Sequence, residues 1–385
     1  DPGPWLNRPM RAALGLPQPE EAIGRAAHDF TSFLAAPKVI MTRARKVDGV
    51  PSVPSRWLLR LKALVAGLGL NDALEPNEPW PAWARLRDFA PPRAPAQPPR
   101  PTPPVEARPR KISVSGVERW IANPYAIYAR HVLRLEPLQL LGAEPDAALR
   151  GAIIHEAMSR FAKTYPVRLP DDTARELFRI ANDVMREHAS HPRIAAFWLP
   201  RFERFATWFA ETEPQRRDGL QKTLAEIGGE LSFESAGGSF KLTARADRLD
   251  ITNAGVAITD YKTGAPPNDR AVLDNTRPQL PLEAAIALEG GFVGVSEQNV
   301  SLLRYIRASG GEPPGEERII KTDDLPKLAE GALEGLKRLV AAYDNPTMAY
   351  AAVRRGAFSY DYDDYAHLAR VAEWAQFGEA DGEAA

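Results

Sequence analysis

The chain has 385 residues, 44% apolar and 26% charged, enough for two or three domains that each bury a core. Basic and acidic residues number 49 and 50, so any surface for nucleic acid has to be local rather than global. Cysteine is absent, which excludes disulfides, thiol nucleophiles, thiolate-bound zinc and iron–sulfur clusters, and no apolar run is long enough to span a bilayer.

No signal-peptide pattern opens the chain, and its start at Asp1 is expected to mark a piece of a longer protein. Residues 20–34 carry Ile23, Ala27, Phe30 and Leu34 at helical spacing. Lys38–Thr42 is a short β-branched run that reads as a strand, and Ser55 is a fitting N-cap for a helix to Leu68. One strand and two helices cannot close an α/β sheet, so this segment is expected to complete a larger domain. Between Pro91 and Pro109, nine of 19 residues are proline, interspersed with Arg93, Arg100 and Arg108. That composition predicts a stiff, extended, basic linker, with phosphate contact by its arginines as a secondary reading.

Beyond the linker, Ser115-Gly116-Val117-Glu118 has the form of a capping box, and Asn123-Pro124 interrupts the helix it starts. Helices are predicted over Gly151–Tyr165, Asp171–His188 and Arg193–Glu211. Three β-like runs follow, at Glu230–Ser235, Phe240–Ile251 and Val256–Lys262, divided by Gly-rich turns into a meander. A helix over Pro278–Leu288, a strand over Val300–Arg307 and a long helix over Leu325–Tyr343 complete the series, and the end of the chain, from Glu379, should fray.

Charge becomes unusual where the second and third strands meet. The second ends Arg245-Ala246-Asp247-Arg248-Leu249-Asp250, and the third runs Val256-Ala257-Ile258-Thr259-Asp260-Tyr261-Lys262. Residues two apart share a strand face, so Val256, Ile258, Asp260 and Lys262 should point one way, and a hairpin can bring Asp247 beside Asp260. Two converging carboxylates repel unless a cation lies between them. Oxygen donors suit Mg²⁺ or Mn²⁺, and such an ion with Lys262 alongside is the minimum apparatus for hydrolysing a phosphodiester. The bland alternative is a strand-end salt bridge worth about 0–1 kcal/mol. His155 lies on a predicted helix as a surface residue or a further ligand; Ser159 stands where a zinc protease would need its second histidine. Gln279 opens the next helix as a cap or as a hydrogen-bond donor to phosphate. Arg43 and Arg45, after the Lys38–Thr42 run, either face phosphates or are simply solvated. No Gly-x-x-x-x-Gly-Lys-Ser/Thr occurs, so the chain has no ATP-binding P-loop.

This order of parts (a helical His, then Ala-Arg-x-Asp-Arg-x-Asp, then Asp-x-Lys, then Gln at a helix start) resembles the RecB-type nuclease domain of the PD-(D/E)XK superfamily. The resemblance runs from Ile112 to about Trp374. Within it, Ser113-Val114-Ser115-Gly116-Val117-Glu118 and Asn123-Pro124-Tyr125 resemble the AddB family of AddAB helicase–nucleases, as do Val39–Arg45 and Pro54-Ser55-Arg56-Trp57 in the first segment. The resemblance implies an α/β PD-(D/E)XK core with a mixed central sheet flanked by helices over 112–374. Before it would come a helicase-like remnant over 1–90 and the linker over 91–111; a flexible tail would follow over 375–385. It implies a Mg²⁺-dependent exodeoxyribonuclease, with Mn²⁺ as a substitute, acting in double-strand-break repair by recombination in the bacterial, nucleoid-associated cytoplasm. Its partners would be single-stranded DNA, duplex ends and an AddA-type subunit. Carried over, Asp247 and Asp260 ligate the ion with the Tyr261 carbonyl and His155, and Lys262 is the catalytic lysine. Gln279, Arg245 and Arg248 face DNA, the two arginines either neutralising phosphates or fixing the carboxylates. Two departures stand out. Many AddB proteins hold an iron–sulfur cluster whose first cysteine falls where this chain has Asn123, so packing between the ends of the domain must replace it. The family's tyrosine four residues after the glutamine is Glu283 here. Two other readings stay open: a non-catalytic DNA-binding or scaffolding module, and a hydrolase of a small phosphorylated substrate.

Overall fold

The computed structural model describes residues 6–74, 79–89, 96–138, 147–188, 192–296, 299–322, 324–352 and 363–374. It divides into two units, Asp1–Arg93 and Ala94–Ala385. The predicted tail over 375–385 lies outside the described residues.

The first unit holds α1 (Arg8–Ala13), α2 (Pro19–Leu34), a small hairpin of β1 (Lys46–Val47) and β2 (Val50–Pro51), α3 (Arg56–Gly67) and α4 (Trp80–Asp88). Ser55 caps α3 as expected, accepting the Leu58 N–H at 3.2 Å. Lys38–Thr42, expected as a strand, is not one. Among the described residues the run has no strand neighbour to take up its backbone groups, and pairing begins only where Asp48 and Gly49, at φ 47° and 78°, supply a two-residue turn. Arg43 and Arg45, which follow this run, are solvent-exposed. None of this unit's described residues is buried, and Leu14, Phe33, Leu64 and Leu86 are mostly exposed.

The second unit runs β3 (Lys111–Ser113), α5 (Val114–Ala122), α6 (Pro124–Ile127), α7 (Ala147–Thr164), α8 (Thr173–His188), α9 (Pro192–Arg216), β4 (Leu220–Ser235), β5 (Gly238–Thr252), β6 (Gly255–Lys262), α10 (Asp269–Leu273), α11 (Gln279–Leu288), β7 (Val300–Ala308), β8 (Gly315–Ile319), α12 (Leu325–Asp344) and α13 (Val371–Trp374). Its six-stranded sheet has the order β3-β5-β6-β7-β8, with β4 also on β5. β3–β5 and β6–β7 are parallel and the other pairs antiparallel. This is the expected mixed sheet flanked by helices. One core joins α5, α11 and α12 to the sheet through Trp120, Leu282 and Leu336. A second joins α7, α8 and α9 through Phe161, Leu177 and Phe205. No helix among the described residues is long and apolar enough to cross a membrane.

The proline-rich segment from residue 96 onward packs within this second unit. The carbonyls of Pro99 and Pro101 accept the N–H groups of Ala352 and Tyr350 at 2.9 and 2.8 Å. Arg108 is buried and donates to the carbonyls of Pro103, Tyr343, Asn345 and Pro346, so it is not available to phosphate. At the other end of α5, Ser113 rather than Ser115 is the N-cap, accepting the Gly116 N–H at 3.1 Å. Asn123 caps α6 and donates to Asp363 at 2.8 Å, where Tyr125, Ala126 and Ala129 pack on Ala352, Tyr365 and Ala369. A hydrogen bond and a small apolar cluster thus tie the two ends of the unit together.

Candidate active site at the fork of the sheet

β4 covers one edge of β5 along its whole length, from Gly238 to Thr252. The other edge is shared: β3 pairs with Lys241–Thr243, and β6 pairs with Arg248–Thr252. Residues 244–247 therefore border an open fork. The β5–β6 ladder ends at Arg248 opposite Thr259, so the next positions in register are Asp247 and Asp260. The ladder does not continue through them. Instead the Tyr261 N–H donates to the Asp247 carboxylate at 2.8 Å. The hairpin that sets this register turns at Gly255, whose φ is +127° and where a Cβ would lie 2.2 Å from the Asn299 carbonyl oxygen, so only glycine fits.

β6 alternates as expected up to its end, with Val256 and Ile258 in the first core and Tyr261 in the second. β5 does not. Phe240, Leu242, Ala244 and Ala246 enter the first core, and so does Leu249, so the parity of buried positions changes across Asp247 and Arg248. On the adjoining strand Glu226 falls opposite Asp247 in register and has a left-handed φ of 57°. A non-glycine residue in that conformation is a local irregularity of the strand, although the register of β4 on β5 is the same on either side of it.

Two polar side chains, Lys262 and Gln279, contact Asp260, itself 3% exposed. Lys262 Nζ lies 2.8 Å from its carboxylate. Gln279 Nε2 donates to Asp260 Oδ1 at 2.6 Å and to Glu283 Oε1 at 3.3 Å, while Gln279 Oε1 accepts from Lys262 Nζ at 3.0 Å. Burial pushes the Asp260 carboxyl up to about 6; Lys262 draws it down and Asp247 pushes it further up. Glu283, 1% exposed, is raised well above the ordinary glutamate range by burial and then by the charges of Asp260 and Asp247. Burial would lower Lys262, but Asp260 outweighs it and the ammonium is held above its usual value. Such mutually strained carboxyl groups mark a site short of positive charge.

His155 projects from α7 to the other oxygen of Asp247, Nδ1 to Oδ1 3.1 Å. Burial alone would lower its imidazole, yet the Asp247 hydrogen bond and charge raise it. His155, Glu226 and Asp247 each turn one ligand atom into a cluster whose members all lie within 4.8 Å of one another. Glu226 is raised by burial and then by Asp247, and its carboxylate is ion-paired to the exposed Arg245. One imidazole and two carboxylates fit a hard or borderline divalent cation. Sequence patterning does not single out Glu226: the predicted strand begins at Glu230, whereas β4 begins at Leu220. The Gly228-Gly229 pair just beyond it is the one local sign that the strand is irregular there.

The structure thus brings together His155, Asp247, Asp260, Tyr261, Lys262 and Gln279. It corrects the reading of two others. Arg248 faces no phosphate: it is 1% exposed and locked to Glu213 and Asp250 at 2.7 and 2.8 Å, with Arg304 holding the far oxygen of Asp250 at 2.7 Å. The parity change in β5 turns Arg248 inward as it turns Asp247 toward the fork. Gln279 turns both amide hydrogens to Asp260 and Glu283 and its oxygen to Lys262, so its donors face the carboxyl groups of the site rather than a phosphate. Glu118 takes no part in a capping box; it accepts the Gln279 backbone N–H at 3.1 Å.

An uncharacterized protein of Rickettsia felis is 26% identical over 416 residues, covering 95% of this chain and 46% of that protein. One of Rickettsia bellii is 27% identical over 283 residues, covering 68% and 32%. The chain spans less than half the length of these relatives. Among solved structures, that of SSO0001 shares 10% identity at a TM-score of 0.29, over 67% of this chain and 85% of the other. Residues 111–356, well over half the chain and including every residue of the fork, match the family model of the PD-(D/E)XK nuclease superfamily, and the chain belongs to that superfamily.

Proposed function

We propose that this protein is a divalent-metal-dependent DNA nuclease whose active site is the fork between β5 and β6. One observation carries the reading: Asp247 and Asp260 are the first residues past the end of one ladder, with the Lys262 ammonium 2.8 Å from the second carboxylate. Asp247, Asp260, His155 and the Tyr261 carbonyl would hold the ion, with Glu226 added to the expected set. Mg²⁺ is the working ion of this reading and Mn²⁺ its substitute. When bound, such an ion lowers the pKa of a coordinated water and offsets charge on the phosphoryl group. Lys262 stays protonated at neutral pH, held by Asp260 and Gln279, and presents its charge to a phosphate oxygen as negative charge builds. Asp247 serves both the ion and the backbone of Tyr261, so it fixes the spacing of the two carboxylates. Arg245, largely exposed although ion-paired to Glu226, is the arginine of the two that would meet the DNA backbone.

The wider role belongs to the same proposal. The first unit, with amphipathic helices and no buried residue among those described, is a remnant of a helicase-like domain that further polypeptide completes, as in the AddB family. The protein would then resect DNA ends as an exonuclease beside an AddA-type helicase subunit during recombinational repair. The test is cleavage of end-labelled single-stranded DNA by wild type, Asp260→Ala and Lys262→Ala, with Mn²⁺-dependent melting temperature measured in parallel. Cleavage and a Mn²⁺-induced rise in wild type, with cleavage abolished in both variants, are expected. A wild type that neither cleaves nor responds to Mn²⁺ would overturn the reading and favour a scaffolding module.

A further inference from the structure

We propose that Glu118 and Glu283 are positioning residues of this site, acting through Gln279. The inference rests on the nuclease reading above and deepens it. Gln279 is the first residue of α11, and Pro278 before it offers no capping side chain. The first N–H groups of a helix have no partner within it. Glu118, 161 residues earlier in the chain, supplies one: its Oε1 accepts the Gln279 N–H at 3.1 Å. A carboxylate in that place is favoured by the helix dipole and by its own charge. Its Oε2 meets Arg277 at 3.5 Å, a second contact that steadies the carboxylate. Glu118 thus fixes where α11 begins and, with it, where the Gln279 side chain starts.

Glu283 fixes where that side chain ends. It lies one turn further on the same helix, with Oε1 accepting from Gln279 Nε2 at 3.3 Å and Oε2 buried without a hydrogen-bond partner. A carboxamide has one oxygen and one nitrogen with two hydrogens. Here the nitrogen serves two carboxyl groups and the oxygen faces an ammonium. Rotating the amide by half a turn would set its NH₂ against Lys262 and its oxygen against Asp260 and Glu283. A single orientation survives, and in it Gln279 bridges Lys262 to Asp260. The two glutamates therefore set the position and the rotation of the one side chain that touches both.

The test uses the full chain with Glu118→Ala, Glu118→Gln, Glu283→Leu and Glu283→Gln. The readouts are single-turnover cleavage of labelled single-stranded DNA in saturating Mn²⁺, its half-saturating DNA concentration, and hydrogen exchange of the Gln279 side-chain amide by NMR. The Ala and Leu variants should lose ~10- to 100-fold in rate at an unchanged half-saturating concentration, while each Gln variant, which keeps an acceptor, recovers to within about threefold. Gln279 amide protons should exchange slowly in wild type and both Gln variants, and fast in the Ala and Leu variants. Unchanged exchange in Ala and Leu, or a loss that Gln does not rescue and that tracks melting temperature, overturns the proposal. If wild type itself cleaves nothing, the nuclease reading fails, and amide exchange still decides whether the clamp exists.

Discussion

The Tyr261 N–H donates to the Asp247 carboxylate at 2.8 Å, just where the β5–β6 ladder stops. A side chain here does what a strand carbonyl does elsewhere, so Asp247 has a structural duty as well as a chemical one. The two duties separate by substitution. Asp247→Asn keeps an oxygen for Tyr261 and loses the charge. Asp247→Ala leaves a half-buried N–H unpartnered, at a cost of about 1–3 kcal/mol. Both variants should lose cleavage and the Mn²⁺-induced rise in melting temperature, and only Asp247→Ala should melt well below metal-free wild type. Equal melting of the two would show that the Tyr261 bond contributes nothing.

Glu226 joins strain to crowding. It holds a φ of 57° and faces Asp247 and His155. Left-handed backbone at a non-glycine residue costs on the order of 1 kcal/mol, and glycine adopts it freely. Glu226→Gly should therefore melt no lower than metal-free wild type, and it should bind Mn²⁺ roughly tenfold more weakly if the carboxylate is a ligand. Calorimetric titration reads the affinity directly. An unchanged Mn²⁺ affinity would remove Glu226 from the donor set.

These two residues mark the boundary of what was legible in the sequence. Asp260 and Lys262 stand out because period-two alternation puts them on the face of Val256 and Ile258, and apolar residues two apart make the interruption visible. Asp247 follows from the short hairpin. Glu226 does not, because its approach to Asp247 depends on a left-handed residue that no pattern requires. Arg248 is misleading for the same reason: in the sequence it is one more charge beside Asp247, whereas Glu213, Asp250 and Arg304, which bury it, come from three different elements. β8 escapes notice because Gly315–Ile319 is a polar edge strand without alternation of its own. Lys38–Thr42 errs the other way, with strand composition but no partner strand among the described residues.

The raised Asp260 carboxyl makes a prediction about pH. Its value in the folded protein is about 6, against an ordinary 3.8. Between those values the folded protein holds a proton that the unfolded chain has released, so this group makes metal-free stability fall as pH rises through the window. At 1.36 kcal/mol per pKa unit the whole effect is ~2–3 kcal/mol. Urea unfolding of wild type and Asp260→Asn, compared at several pH values, isolates it. Relative to wild type, the variant should gain ~2 kcal/mol between pH 4 and pH 7. A difference that stays flat across that range contradicts a raised carboxyl. Because an ion competes with that proton, Mn²⁺ should stabilise wild type more at pH 7.5 than at pH 5.

Arg248 supplies the sharpest contrast between a structural and a DNA-binding role. Its guanidinium meets Glu213 at 2.7 Å and Asp250 at 2.8 Å, both wholly buried, and neighbouring Arg216 and Arg217 also pair with Glu213. Removing one partner of a buried ion network strands the others, typically at a cost of about 3–5 kcal/mol. Arg248→Met should therefore depress the unfolding midpoint strongly. Glu213 keeps Arg216 and Arg217 in that variant, so Glu213→Gln should not restore the loss, and the double-mutant cycle of the two substitutions gives the Arg248–Glu213 coupling directly. A phosphate-contacting arginine behaves in the opposite way, with melting intact and DNA affinity lost with a shallower salt dependence. If Arg248→Met melts like wild type and only DNA binding suffers, the buried network is not what holds the inner face of β5, and the turnover of the strand at Asp247 loses its anchor.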